Sequence, residues 1–272
     1  MDYCDHAFSP LREMLDAAIT FGYSVFGVTE HCPRVGDEFL YPTELEMGWT
    51  LDTLYEKFDQ YAQDIRTIQR EYEGRLRVLR GFETEAVPED RYIELMLGFR
   101  EKYGFEYMVG SVHHMGGIMI DFDEATFLRA AERFGGVEGL AVAYYERVGE
   151  MVSALRPEVV GHLDLIRKCA PDEQSVMTPA VKKAAFHTLE IIQKAGSILD
   201  INTAAYRRGI GRPYVAPWLL EAALQLGIPM CFGDDSHCAD DVGAGLEAAR
   251  AYLLENAVTQ IQCVGEAQPR LL

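Results

Sequence analysis

Seven histidines occur in this chain of 272 residues, and five of them (His31, His113, His114, His162 and His237) follow closely on short apolar runs. Acidic residues keep them company: Glu30 beside His31, Glu83 and Glu85 after Gly81-Phe82, Asp164 after His162-Leu163, and Asp234-Asp235 before Ser236-His237. An apolar run that ends abruptly in such residues reads as a buried strand delivering polar groups at its tip. Burying several charges without compensation costs several kcal/mol, so each tip calls for a divalent cation, a basic partner or open solvent. For one tip alone, a solvated turn is a sufficient explanation; the repetition along the chain favours a shared site. Imidazoles and carboxylates mixed without thiolates suit Zn, Mn or Fe in a hydrolytic centre better than a Cys-type structural zinc site. Their number suggests more than one ion, able to clamp both the attacking and the leaving oxygen of a substrate. His6 precedes the first helix, and His187, inside a helix, reads as a hydrogen-bonded structural group.

The elements that must position these residues alternate. Ser9-Pro10 before Leu11, Met14, Leu15, Ala18 and Ile19, stopped by Gly22, predicts a helix with Ser9 as its cap and Pro at the first position. Further helices are expected over 51–72, 88–102, 124–134 (capped by Asp123), 137–155, 178–194, 217–226 and 242–256. Six strands are expected between them, at 23–29, 76–82, 105–112, 157–161, 197–202 and 228–233. Strands alternating with helices imply right-handed βαβ units and a parallel sheet, and a barrel of such units carries its functional groups at the C-terminal ends of its strands. A Gly-Gly reversal is expected at 116–117. With neither a low-complexity linker nor an internal repeat, residues 1–272 read as one domain.

Composition narrows the partners. Lys+Arg 25 against Asp+Glu 43 gives a net charge of −18, with no basic run, which argues against nucleic acid and against an anionic membrane surface. An anionic substrate would have to be drawn in by metal ions or a few arginines. The six cysteines show no C-x-x-C spacing, the N-terminus is neither basic nor followed by an apolar stretch, and no apolar run reaches the ~20 residues of a membrane span. The chain therefore reads as a cytoplasmic protein with reduced, mostly packed thiols.

The tips, taken together, resemble a known family. Phe26-Gly27-Val28-Thr29-Glu30-His31-Cys32-Pro33-Arg34, Gly81-Phe82-Glu83, Gly110-Ser111-Val112-His113-His114, Ile120-Asp121-Phe122-Asp123, Gly161-His162-Leu163-Asp164-Leu165, Ile201-Asn202-Thr203-Ala204-Ala205-Tyr206-Arg207 and Asp235-Ser236-His237 are similar to the polymerase-and-histidinol-phosphatase (PHP) phosphoesterases. Within them, the match is to the fungal-type histidinol-phosphatases, over nearly the whole chain. The resemblance implies a distorted (β/α)7 TIM-like barrel, up to three divalent metals (Zn, Mn or Fe), a metal-bound hydroxide as nucleophile, and hydrolysis of L-histidinol phosphate to L-histidinol in histidine biosynthesis. Carried over position by position, it implies metal ligation by His6, His31, Glu83, His113, His162, Asp235 and His237. Glu83 would bridge, His113 and His162 would join it on one ion, and His6, His31 and His237 would hold another. Arg34, Arg167 and Arg207 are the candidates for the phosphate oxygens, because the guanidinium fork matches them. Asp164, or His237 when not metal-bound, is the candidate acid for the leaving alkoxide. His114, Glu85 and Asp234, each next to a matched ligand, are expected beside the metals without touching them.

One departure stands out. The family's first strand ends in a His-x-His-Ser-type motif shortly before a segment like Cys4-Asp5-His6-Ala7, and here only Met1-Asp2-Tyr3 precede that segment. The chain thus reads as lacking the first strand and two histidines of one metal position, with fewer ions bound and lower stability as the expectation. A degenerate, non-catalytic PHP-like domain and a phosphoesterase for another small phosphate monoester are the alternatives.

Overall fold

The computed structural model describes residues 3–272; Met1 and Asp2 lie outside it, and with them part of the segment on which the departure rests. In chain order the elements are α1 (Leu11–Phe21), β1 (Val25–His31), α2 (Pro42–Glu46), α3 (Leu51–Glu71), β2 (Arg77–Glu83), α4 (Tyr92–Tyr103), β3 (Tyr107–Gly110), β4 (His114–Met115), β5 (Ile118–Met119), α5 (Glu124–Arg133) and α6 (Val137–Leu155). There follow β6 (Val159–Val160), α7 (Pro179–Ala195), β7 (Ile198–Asn202), α8 (Ala204–Arg207), α9 (Pro217–Gln225), β8 (Met230–Gly233), α10 (Leu246–Glu255), β9 (Gln260–Ile261) and β10 (Arg270–Leu271).

The six strands expected from the sequence form one curled, all-parallel sheet in the order β1-β2-β3-β6-β7-β8. Parallel strands require crossovers, and the helices supply them on the outer face. There Val78, Phe82, Met108, Val160, Leu199, Ile201 and Met230 pack into the main core, with α6 and α7 contributing Leu140, Tyr144, Val148, Val152, Val181, Leu189 and Ile192. The inner face carries a smaller cluster, Leu79, Tyr107 and Val159 with Val25, Val109 and Cys231. The Tyr107 ring fits there because its neighbours lack side chains: a Cβ at Gly27 would fall 2.2 Å from its hydroxyl oxygen.

β1 and β8 are the two ends of the sheet, and a cavity of about 520 Å3 lies between them. Ser24 O and Cys32 N bond to β2 at Arg77 N and Glu83 O. Alternate residues of a parallel strand face alternate neighbours, so Val25, Gly27, Thr29 and His31 turn their backbone groups toward this cavity. On the other side, Met230 O accepts from Gln262 N (2.7 Å), so the β9–β10 ribbon covers part of the β8 end.

Several local expectations are corrected. Ser9 does not cap α1: the residue at the cap is Pro10, without a side-chain bond, and Ser9 Oγ instead accepts from Ala239 N (3.0 Å), tying the first helix to the segment after β8. The helix expected from 88 starts at Tyr92. The helix expected from 242 starts at Leu246, because Gly243 and Gly245 adopt φ of +76° and +80°, outside the helical region. The caps by Asp123 and Thr178 are present (accepting from Thr126 N, 2.7 Å, and Val181 N, 3.4 Å). The Gly116-Gly117 reversal joins β4 to β5 with both glycines at positive φ. His187 is exposed beside Glu190 (3.3 Å), all six cysteines are unpaired, and no helix among the described residues is long and apolar enough to cross a membrane.

Candidate metal centre

The strand tips converge on one rim. Glu83, the last residue of β2, is central: its Oε1 lies 3.2 Å from His162 Nε2 and 3.5 Å from His113 Nε2, and its Oε2 lies 3.1 Å from His31 Nδ1. One carboxylate therefore joins two groups of imidazoles. In the first group, Glu83, His113 and His162 offer ligand atoms all within 4.8 Å of one another. In the second, His6, His31 and His237 do the same, with His6 Nε2 3.0 Å from His31 Nε2 and the His6 and His237 rings 4.8 Å apart between centroids.

These residues fit a divalent cation. Nitrogens bound at ~2.1 Å around a shared ion stand about 3 to 3.4 Å apart, the spacing of the His6–His31 pair. Burial holds the His6 imidazole below its ordinary pKa, and neighbouring His31 and His237 lower it further, against the hydrogen bond that it donates to Asp5. A neutral ring is the ligating form. His162 Nδ1 is buried with no hydrogen-bond partner, a further donor atom left for an ion. Around the other group the carboxylates dominate. Burial alone would lower His113, but Glu83 and Glu85 carry it up to about 10. Glu83, despite the opposing effect of burial, is held well below the usual carboxylate range by His113 and His31. Without metal, protons on these imidazoles supply the positive charge that a cation supplies when bound.

The supports of these candidate ligands are built into the same tips. Glu85 Oε2 meets both His113 Nδ1 (3.0 Å) and His114 Nδ1 (3.1 Å), which leaves His113 Nε2 free to face Glu83. His114 is buried and stacked on Tyr41. Asp5, which the sequence reading overlooked, orients His6 through Oδ1 to Nδ1 (2.8 Å) and accepts a bond from Thr43 through its other oxygen. Its position directly before His6 was the available signal. Asp234 turns away from the rim, accepting from Gly243 N (2.8 Å) and the Tyr23 hydroxyl (3.3 Å).

Asp235 and His162 both hold positive φ, 50° and 22°. Non-glycine residues at such angles persist where surrounding contacts fix them. For Asp235 the contacts are visible: Arg207 Nη2 donates to the carbonyls of both Asp234 and Asp235 (2.7 Å each), and His237 Nδ1 donates to the Asp235 carbonyl (2.9 Å). Burial raises the Asp235 carboxyl, but His237, His162 and His31 outweigh it and lower the pKa overall, against Glu83.

The three arginines picked for phosphate have other partners here. Arg34 is buried, ion-paired with Glu44 and stacked 3.7 Å over the Tyr41 ring. Arg167 lies against Asp164, Nε to Oδ2 2.8 Å, with its Nη2 on Pro213 O (2.5 Å). Asp164, buried, also accepts from Ala216 N (2.9 Å). The candidate acid Asp164 and the candidate phosphate ligand Arg167 are thus each other's partner. Burial raises the Asp164 carboxyl and Arg167 opposes it. Arg207, a quarter exposed, is the most open of the three.

A profile of the PHP domain matches residues 1–204. The chain belongs to the PHP family. A relative from Schizosaccharomyces pombe named "Probable histidinol-phosphatase" is 34% identical over 276 residues, covering 98% of this chain and 87% of the relative. The histidinol-phosphatase of Bacillus subtilis is 29% identical over 90% of this chain and 94% of that one. The PHP fold also matches a crystal structure from Listeria monocytogenes, with a TM-score of 0.79 and 24% identity over 91% of this chain and 97% of that one. A Lactococcus lactis histidinol phosphate phosphatase, crystallised with zinc, L-histidinol and phosphate, aligns with a TM-score of 0.67 and 19% identity over 92% and 90% of the two chains.

Proposed function

We propose that this PHP protein is a metal-dependent phosphomonoesterase that hydrolyses L-histidinol phosphate to L-histidinol and phosphate in histidine biosynthesis, with residues 1–272 forming a single domain. The observation that carries the reading is the Glu83 carboxylate shared between two clusters of imidazoles on one rim. Relatives named for this activity over almost the full chain supply the substrate. The likeness to a fold that holds zinc, L-histidinol and phosphate supports the metal and ligand class.

Glu83, His113 and His162 would hold one ion and His6, His31 and His237 another, each zinc, manganese or iron; Asp235 with Glu83 would belong to a third position. When bound, such ions lower the pKa of water toward neutrality and neutralise phosphate charge. The chain's own part is placement. Glu85 and Asp5 fix the rings of His113 and His6, and Arg207 holds the turn carrying Asp235 and His237. Of the two candidate acids, Asp164 is engaged with Arg167, and the more exposed His237 could hand a proton to the leaving alkoxide only when it is not holding an ion. We further propose that the curled sheet is part of a (β/α)7 barrel whose remaining strand belongs between β1 and β8. The cavity there is lined by the outward backbone of β1 and by Asp200, whose buried Oδ1 has no hydrogen-bond partner.

The test is phosphate release from L-histidinol phosphate by metal-stripped protein reloaded with Zn or Mn, against a panel of other phosphate monoesters. Release that is metal-dependent and at least tenfold faster with histidinol phosphate supports the proposal. Preference for another ester would reassign the substrate, and no release from any ester would leave a metal-binding domain without this chemistry.

A further inference from the structure

Positive charge also gathers away from the rim, on the outer side of the sheet. Arg66 and Arg70 on α3, Arg80 on β2, Gln69 and Gly104 line a pocket of about 280 Å3. In a chain of net charge −18 this convergence of arginines runs against the overall field. Arg66 and Arg70 stand one helical turn apart, a like-charge spacing that destabilises a helix by a few tenths of a kcal/mol. Among the described residues neither has a carboxylate partner; Arg66 bonds to the Tyr103 carbonyl. Proximity to the C-terminal end of α3 accounts for Arg70, but not for Arg80, which projects from a strand.

Arg80 is the informative member. Its Nε lies 3.4 Å from Glu106 Oε2, yet it is buried and makes no hydrogen bond. That oxygen is already taken, accepting from the backbone N–H of Arg80 (2.9 Å) and from the Gln69 amide (2.8 Å). Glu106, the carboxylate paired with Arg80, thus has its hydrogen-bonding capacity spent on neutral donors, and among the described residues the charges of Arg66 and Arg70 have no carboxylate partner. Guanidinium forks bind planar or tetrahedral oxyanions with paired hydrogen bonds, and a phosphate group near neutral pH carries the charge that balances the excess.

We infer that this pocket is a second anion site, separate from the metal rim, that takes a phosphate group, either as inorganic phosphate or as a small phosphomonoester. The inference does not depend on the proposed catalytic activity, and its test involves no turnover. Metal-stripped wild-type protein and an Arg66→Ala/Arg70→Ala variant are titrated in EDTA with inorganic phosphate, with glycerol phosphate, and with sodium chloride at matched ionic strength, following thermal unfolding and calorimetric binding. The expected result is saturable stabilisation by phosphate or its ester in the wild type, at least tenfold weaker in the variant and absent with chloride. Tenfold tighter binding of glycerol phosphate assigns an ester as occupant, and equal binding assigns phosphate itself. Equal stabilisation by chloride, or unchanged phosphate binding in the variant, overturns the site. Arg70→Gln, at a side chain with no hydrogen bond among the described residues, repeats the comparison if the double variant does not fold. Phosphate release by the metal-loaded variant in phosphate-free buffer is expected to match the wild type, which separates this site from the rim.

Discussion

Replacing Glu83 by Gln keeps the shape of the side chain and removes its charge from among His31, His113 and His162. The consequence can be sized on His113, whose folded-state pKa of about 10 compares with an ordinary 6.5. Each tenfold change in proton affinity is worth about 1.4 kcal/mol, so His113 holds on the order of 5 kcal/mol of preference for the folded, protonated form. For a raised histidine that stability is complete below the unfolded pKa, near 6.5, and is lost as pH climbs through about 10; roughly 4 kcal/mol of it is present at pH 7. Glu83 and Glu85 share the effect, so Glu83→Gln should remove about half, ~2 kcal/mol at pH 7. The assay is urea unfolding of metal-stripped protein in EDTA from pH 6 to 10.5. Wild type should lose stability across that window and the variant should show a shallower slope. With zinc restored, wild-type stability should be nearly flat over the same range, because the cation takes the proton's place. Identical slopes for the two proteins in EDTA would refute the assignment of Glu83 as the charge that organises this rim.

Four further substitutions discriminate among roles. Arg207→Ala should release the Asp234–Asp235 turn and weaken metal binding at the His6–His31–His237 group about tenfold, the loss of one or two charge-assisted hydrogen bonds, read by competition with a chromophoric chelator. A raised KM with metal content unchanged would instead place Arg207 on the substrate. His113→Ala should abolish binding of one ion, whereas His114→Ala should leave metal content nearly intact, as counted by atomic emission; equal losses would put His114 among the ligands. Arg34→Met should destabilise the fold by about 3–5 kcal/mol in urea unfolding, since it strands the buried Glu44 carboxylate, and a fully stable variant with slower turnover would return Arg34 to the substrate side.

The sheet was legible because most of its strands lie in apolar runs, and β2 in an alternating one, that close in polar tips, a pattern that periodicity and turn chemistry both mark. The short elements were not: β9 and β10 are two residues each, too brief for a period, and their pairing depends on the β8 edge that Gln262 reaches. Caps divided along the same line. Asp123 and Thr178 cap locally, while Ser9 was drawn off by Ala239, a residue 230 positions away. At the site, residue types showed which groups gather, but partner choice among the arginines was decided in three dimensions. Arg34 found Glu44 and Tyr41 and Arg207 found two backbone carbonyls, and only the Asp164–Arg167 pair, three residues apart, could have been suspected from spacing.

The ends of the sheet have a consequence for how the molecule holds its shape. His31 closes β1, His237 follows β8, and about 200 residues of chain separate them, yet the imidazoles of both meet that of His6 in one group. No ladder of backbone bonds joins those two strands to each other among the described residues. An ion held by this group would therefore work as a clasp, fastening the first strand of the curl to the last across an open seam. A clip that closes so long a loop removes more freedom from the unfolded chain than one joining near neighbours. Such a cation would then also set the curvature of the sheet from whose strand ends Glu83, His113 and His162 project.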